Sequence, residues 1–352
     1  MIDSARQRVR TEMERRLHVL DDPDQRCGTQ PHDHDRLSDD QVANALAHLD
    51  ENTEALPRWP WPRLHEAVGP LRGGTVWVLG AVQGNGKTAV GLNLVEALTA
   101  QRTPWLYVGL EVDAKVLRAW WACLKTGIPR YRLNDNSLSE DERKGLRDEI
   151  VAQREHSKLA HFANGYTMSP EYVIGLATRL WRTRRVKVVI LDHLQHLDYN
   201  TPYLRQAVGD AMKSIKACAL EHDLVFVVAS QLTRRSRDSL QAFRVPAISE
   251  LKESGSIEQI ADVVLFAHRG LKPDSMAEQK KFRQEGGDIS DFAVCDRLYL
   301  HVAKHRFGLR TGHSIPLQIH TPSDRIVEVE PANPASSPST QLDFIKTTKE
   351  ST

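Results

Sequence analysis

The stretch LGAVQGNGKT, residues 79–88, decides the fold. Before its turn runs TVWVLG, apolar and β-branched in the manner of a buried strand. After it comes TAVGLNLVEALTAQ, with Val90, Leu92, Leu94 and Leu98 available as the packing positions of a helix. Strand, glycine-rich turn and helix in that order aim backbone N–H groups at a phosphate. Gly84 and Gly86 permit close approach, Lys87 supplies charge for the β- and γ-phosphates, and the Thr88 hydroxyl is placed to hold Mg²⁺. The residues expected around ATP are therefore Ala81, Gly84, Asn85, Gly86, Lys87, Thr88 and Ala89. Ala81 departs from the glycine that usually opens such a loop.

A second carboxylate is needed to organise the metal. VKVVILDHLQ offers Asp192 at the C-terminal end of an aliphatic strand, with an N-cap as the alternative reading. Hydrolysis also needs a group that orients water, and Glu111, ending WLYVGLE, is the candidate general base. It is expected beside the phosphate loop if its strand shares that edge of the sheet. The alternative is a solvated residue that caps the next helix together with Asp113.

Working outward, helices are expected at AKVLRAWWACLKTG, around SEDERKGLRDEIVAQREH, and over residues 169–182 and 203–221. Between them lie the strand-like runs KVVILD, LVFVVASQ, DVVLFAHR and LYLHVAKHR. This alternation argues for an α/β fold with a largely parallel sheet covered on both faces. PLQIHTPSDRIVEVE is expected to be a closing strand pair, and the Pro/Ser/Thr-rich end a disordered tail. Residues 1–58 are polar. Ser38 is a candidate N-cap there, and Val42, Ala43, Leu46 and Leu49 give a helical stripe that packs on its own domain or on a neighbouring subunit. The expected division is a helical N-terminal or linker segment over 1–58, an ATPase domain over 59–323 and a flexible tail over 324–352.

Composition narrows the class. The 352 residues are 40% hydrophobic, enough for a sizeable core, and the formal net charge of +1 gives no global attraction to a polyanion. Any nucleic-acid contact must come from a local surface, and TRRSRDSLQAFR supplies one, with Arg234, Arg235, Arg237 and Arg244 against the single acid Asp238. The four cysteines are dispersed, the first residues lack a signal-like apolar core, and no apolar run reaches membrane length. A cytoplasmic protein with reduced thiols and no membrane partner is the expectation. Cys27, His32 and His34 lack the second Cys/His pair of a structural zinc site.

GAVQGNGKTAVGLNLV, LYVGLEVD, VVILDHLQHLD, VVASQLTRRS, PAISELKESGSIEQIADVVLFAHR and LHVAKHRFGLRTG together resemble the RecA-like ATPase core of the DnaB family of replicative DNA helicases. The resemblance runs in order over residues 59 to about 320, and that family tolerates alanine where Ala81 stands. It implies a homo-hexameric ring that hydrolyses ATP at subunit interfaces, moves along single-stranded DNA and unwinds duplex during DNA replication. By the same resemblance Gln231 matches the sensor of the γ-phosphate, and Lys304 and Arg306 match a basic pair that reaches the neighbour's ATP. Lys252, Glu253 and Gly255 match channel-loop positions that touch the DNA backbone, with lysine where the family more often has arginine. The family also implies a primase and a loader as partners of a helical collar of roughly one hundred residues. The shorter segment before this core points to a phage or mobile-element setting. QLDF, residues 341–344, is similar to a short tail motif that docks on sliding clamps, lacking one apolar residue. The other function class open to this sequence is a RecA/KaiC-like ATPase that serves as a DNA-associated scaffold or switch without unwinding.

Overall fold

The computed structural model describes residues 56–165, 167–232, 245–252, 254–269, 297–307, 311–320 and 322–329. Outside them lie the expected helix after Ser38, Arg234, Arg235, Arg237 and Arg244, Glu253, the charged insertion of residues 270–296 and the QLDF segment.

The strands are β1 (Thr75–Ala81), β2 (Trp105–Gly109), β3 (Ala160–Asn164), β4 (Val188–Asp192), β5 (Val225–Gln231), β6 (Val263–Arg269), β7 (Arg297–His305), β8 (Ser314–His320) and β9 (Arg325–Glu328). They form one nine-stranded sheet in the order β3-β2-β4-β5-β1-β6-β7-β8-β9. From β3 to β6 every pairing is parallel, and β7, β8 and β9 extend the sheet by antiparallel pairings. The helices are α1 (Pro62–Val68), α2 (Lys87–Ala100), α3 (Ala114–Thr126), α4 (Tyr131–Asn134), α5 (Glu140–Ala152), α6 (Pro170–Arg184), α7 (Leu204–His222) and α8 (Ser254–Ile260).

Both faces of the parallel strands are apolar, so consecutive residues feed two separate cores. Trp77, Leu79, Trp105, Tyr107, Ile190 and Val227 join Leu92, Leu94 and Leu98 of α2 and Trp121 of α3 on one face. Val76, Val78, Leu106, Val108, Leu191 and Val228 meet Val173 of α6 and Val208, Met212 and Ile215 of α7 on the other. Local chemistry sets the helix ends. The Asp113 carboxylate accepts from the Lys115 N–H to start α3, and Gly127, at φ 76°, closes it. Ser139 and Glu142 make a reciprocal capping box at α5, and Ser169 caps α6 ahead of Pro170.

Two long-range fastenings matter later. The Asn93 amide, buried on α2, donates to the Asp324 carbonyl at 2.8 Å and accepts from the Ile326 N–H at 3.0 Å, tying that helix to β9. Asp262, 1% exposed, accepts from the Val76 N–H, from Lys216 at 2.6 Å and from Arg306 at 3.0 Å.

Three expectations change. The strand β3 and the helix α1 are additional elements: AHFAN is a half-buried edge strand without a continuous apolar run, and PRLHEAV is a single short stretch of helix. Residues 325–328, expected to belong to the tail, instead form β9 and pair with β8. Finally, β1 and β2 are not neighbours. Strands β4 and β5 lie between them, so Glu111 does not reach the phosphate loop by a shared strand edge.

Candidate functional site

The C-terminal ends of β1, β2, β4, β5 and β6 open into a cleft of about 730 Å³, in the range of a nucleotide-sized site. Ligand sites in such sheets gather at these strand ends, where helix N-termini and loops converge. Its lining includes Gln83, Gly84, Gly86, Lys87, Thr88, Ala89, Glu111, Asp192, Gln231 and Lys252. The turn between β1 and α2 takes left-handed backbone at Gly84 (φ 82°) and at Gly86 (φ 92°), the N-cap of α2. An L side chain at either position would be strained. The first N–H groups of α2 are thereby left facing the cleft, as an anion site requires.

Lys87 lies over this turn, with Nζ donating to the Ala81 carbonyl at 3.2 Å. Burial lowers its pKa, Asp192 and Glu111 oppose that change, and Lys252 adds to it. A second cation in the same cleft is what a polyphosphate would compensate. The Thr88 hydroxyl donates to Asp192 Oδ2 at 2.7 Å, so the two groups expected to share a metal are already in contact. On its other side the same oxygen accepts from the Tyr107 hydroxyl at 2.7 Å. Tyr107 is enclosed, and its pKa is raised first by burial and then by the Asp192 charge, which keeps it a donor. Room for its ring comes from Gly91 on α2, where a Cβ would lie 3.0 Å from the ring.

Glu111 reaches the cleft by a different route from the one its strand suggests. Gly109 of β2 is in register with Asp192 of β4, and the Leu110 N–H donates to the Asp192 carbonyl. The chain then carries Glu111 past the strand end, with its side chain half exposed and Oε2 3.6 Å from His193 Nε2. Asp113 is the cap of α3, so Glu111 is not needed there. Burial, and then the neighbouring His196, push the His193 pKa down to about 4, so at neutral pH this contact is not an ion pair.

At the end of β5, Gln231 is in register with Ala81, and the Lys252 ammonium donates to its side-chain oxygen at 3.0 Å. The Lys252 N–H also donates to the Gln231 carbonyl, and Leu232 bridges to Leu251. Lys252 thus sits inside the cleft, where the sequence suggests a DNA contact. Gly255 lies farther along, near the start of α8. Lys304 and Arg306 are elsewhere: neither lines the cleft. Lys304 donates to the carbonyls of Glu258 and Ala261 at the end of α8, and Arg306 donates to Asp262 and to the Gln259 carbonyl.

Several residues in or beside the cleft carry no local sequence signal. The Arg130 guanidinium lies 4.3 Å over the Trp120 ring and pairs with Asp324 at 2.6 Å, making a flat wall far from the Lys87 end in sequence. Gln195 ties the loop after β4 to β5 by accepting from the Gln231 N–H and donating to Ser230. Arg269, His193 and His196 also line the cleft. A hint for the histidines is present in HLQH, residues 193–196, directly after Asp192.

Comparison with known proteins bears on the family and the fold. The family model described as DnaB-like helicase C terminal domain matches residues 61–322. A probable plasmid replicative DNA helicase of Chlamydia muridarum is 30% identical over 206 residues, covering 56% of this chain and 44% of that protein. The chain therefore spans less than half the length of this curated relative. Among solved structures, one described as an ATPase domain superposes with a TM-score of 0.68 at 18% identity, over 84% of this chain and 100% of that one. A DnaB-like replicative helicase, in a structure that also describes its interactions with primase, gives 0.66 at 18% identity over 84% and 68%. At such identity the structural likeness speaks for the fold. Among the described residues, no helix is long and apolar enough to cross a membrane.

Proposed function

The chain belongs to the family of DnaB-like helicase C-terminal domains, and from that membership we propose that it is an ATP-dependent DNA helicase of replication. In this reading it hydrolyses ATP at the interfaces of a homo-hexameric ring, moves along single-stranded DNA and separates the duplex ahead. The setting is cytoplasmic, on a plasmid, phage or other mobile element. Residues 59–328 make the motor, the segment before them links subunits, and the residues after them form a tail. Primase, loader and sliding clamp are its candidate partners.

One observation carries the reading: Lys87, Thr88, Glu111, Asp192, Gln231 and Lys252, from five separate segments, line a single cleft. Backbone N–H groups of the turn and Lys87 bind the β- and γ-phosphates, and the flat Trp120–Arg130 wall receives the base. Thr88 and Asp192 fit Mg²⁺, because a hydroxyl and a carboxylate in contact are hard oxygen donors of the kind that ion takes. When bound, it neutralises charge that builds on the phosphates. Glu111 accepts the proton of the attacking water, its carboxylate being half exposed and unneeded as a cap. Gln231 senses the γ-phosphate. Lys252 has one ammonium and two claims on it: with Gln231 unengaged it bonds to that amide, and with Gln231 turned to phosphate it is released toward DNA. Arg234, Arg235, Glu253 and Gly255 complete the DNA-facing loops. Lys304 and Arg306 lie outside their own cleft, as a pair acting on the neighbour's ATP must, and Arg306 stabilises charge on that γ-phosphoryl group.

The test is ATP hydrolysis by the full chain with and without single-stranded DNA, alongside strand displacement on a forked duplex. DNA is expected to stimulate hydrolysis, and Lys252→Ala is expected to abolish the stimulation while leaving nucleotide binding. DNA-independent hydrolysis without displacement sinks the proposal and returns the scaffold or switch reading.

A further inference from the structure

The loops after β2 and β4 bring together three side chains, of which the phosphate chemistry uses only Glu111. Glu111, His193 and His196 each turn one ligand atom to a common point, all of them within 4.8 Å of one another. The spacing has a local cause. Residues 194–196 form a single 3-10 turn with His193 as its N-cap, and in a 3-10 turn side chains three residues apart eclipse one another. His193 and His196 therefore stand on the same side, with ring centroids 4.0 Å apart. Glu111 is brought opposite them by the register of β2 with β4, Oε2 lying 3.6 Å from His193 Nε2.

A second observation concerns His193 itself. Its side chain is 5% exposed, yet Nδ1 has no hydrogen-bond partner. The ring is held by no protein partner at Nδ1, and its other nitrogen, Nε2, is the one that faces Glu111, so the protein leaves the ring free to serve as a ligand. His196 and Glu111 are both exposed.

We propose that Glu111, His193 and His196 bind a borderline transition-metal dication of the Zn²⁺ class, at a site distinct from the Thr88–Asp192 pair. Two imidazoles and one carboxylate are the donor set such ions take, whereas Mg²⁺ favours oxygen alone. Metal–ligand bonds of about 2.0–2.2 Å set tetrahedral donors about 3.3 Å apart. The 3.6 Å contact already comes close to that spacing, and His196, within 4.8 Å of the others, has at most about 1.5 Å to close. Three protein ligands leave a fourth position open, and because all three residues line the nucleotide cleft, that position faces it. The neighbouring Lys87 charge opposes a dication and the Asp192 carboxylate offsets it. Occupancy has a consequence that rests on the reading of Glu111 as the base: a carboxylate bound to metal no longer accepts a proton from water. The metal would then hold ATP bound and unhydrolysed.

The experiment titrates ZnCl₂ into the dialysed full chain in excess Mg²⁺, reading uptake against a chromophoric chelator. In parallel, ATP hydrolysis and the binding of a fluorescent ATP analogue are followed. Uptake of one Zn²⁺ per chain is expected, with loss of hydrolysis and retained analogue binding. His196→Ala, at an exposed position, is expected to lose the Zn²⁺ and, relative to its own metal-free rate, its sensitivity to the ion. Glu111→Gln is expected to weaken uptake in a chain whose thermal unfolding is unchanged. If wild-type chain takes up no more Zn²⁺ than His196→Ala, the site is overturned. If one Zn²⁺ binds through His196 and hydrolysis continues, the site stands and the assignment of Glu111 as base fails.

Discussion

Two strand ends of this sheet carry cations, and they are used in opposite ways. Beside the end of β1, Lys87 donates to one backbone carbonyl and otherwise faces an open cleft with a second lysine in it. At the end of β7, Lys304 and Arg306 spend their donors on the carbonyls at the end of α8 and on Asp262, whose carboxylate also holds Lys216 and the Val76 N–H at the start of β1. Cations held near one another around an open cleft await an anion from outside. Cations paired with a buried acid are part of the protein's own cohesion, and a role on a neighbour must compete with that pairing.

The sharpest way to break this contrast is to exchange the costs. Asp262→Ala leaves two cations and a buried N–H unpaired, and is expected to lower folding stability by about 3–5 kcal/mol, read by chemical denaturation. Nucleotide affinity of the chain that remains folded should hardly change. Lys87→Ala is expected to do the reverse, lowering the ATPase rate by about 10²–10³-fold with the denaturation midpoint preserved. Equal loss of stability in the two variants would erase the distinction. Next in size, Gly91→Ala sets a Cβ 3.0 Å from Tyr107, and its expected cost is about 1–3 kcal/mol of overpacking, with hydrolysis reduced because Tyr107 is pushed from Asp192. The smallest stability effect belongs to Arg306→Ala. Arg306 is 47% exposed, so removing its pair with Asp262 is expected to cost about 0–1 kcal/mol. Its activity effect should nonetheless be large and complementable: mixing Arg306→Ala with Lys87→Ala chains restores part of the hydrolysis only if arginine acts across an interface.

The same contrast explains what can be seen in the sequence. The phosphate turn, α2, β4 and β5 are legible because each is local: a run of apolar residues, a glycine pair forcing the backbone, a lysine at the first helical position. Asp192 and Gln231 can be read as strand ends for that reason. Glu111 enters the cleft by a route its own strand does not suggest, since strand order is set by which runs pair across the chain, and no local pattern records that β4 and β5 intervene. Asp262 stands inside a motif rich in other signals, and its three partners come from distant elements. Tyr107 reads as one more apolar strand residue, although its hydroxyl orients the Asp192 carboxylate. Lys252 is expected from its motif to face DNA; its bond to Gln231 depends on the bridge between Leu232 and Leu251, a contact of two loops that has no periodicity to read.

The Asn93 amide, finally, works as a two-pronged rivet. One side-chain group supplies both the donor to Asp324 and the acceptor for Ile326, so α2 cannot slide along β9 without parting both bonds at once. The helix that opens on the phosphate turn is thereby pinned to the last strand of the sheet, on the far side of β7 and β8.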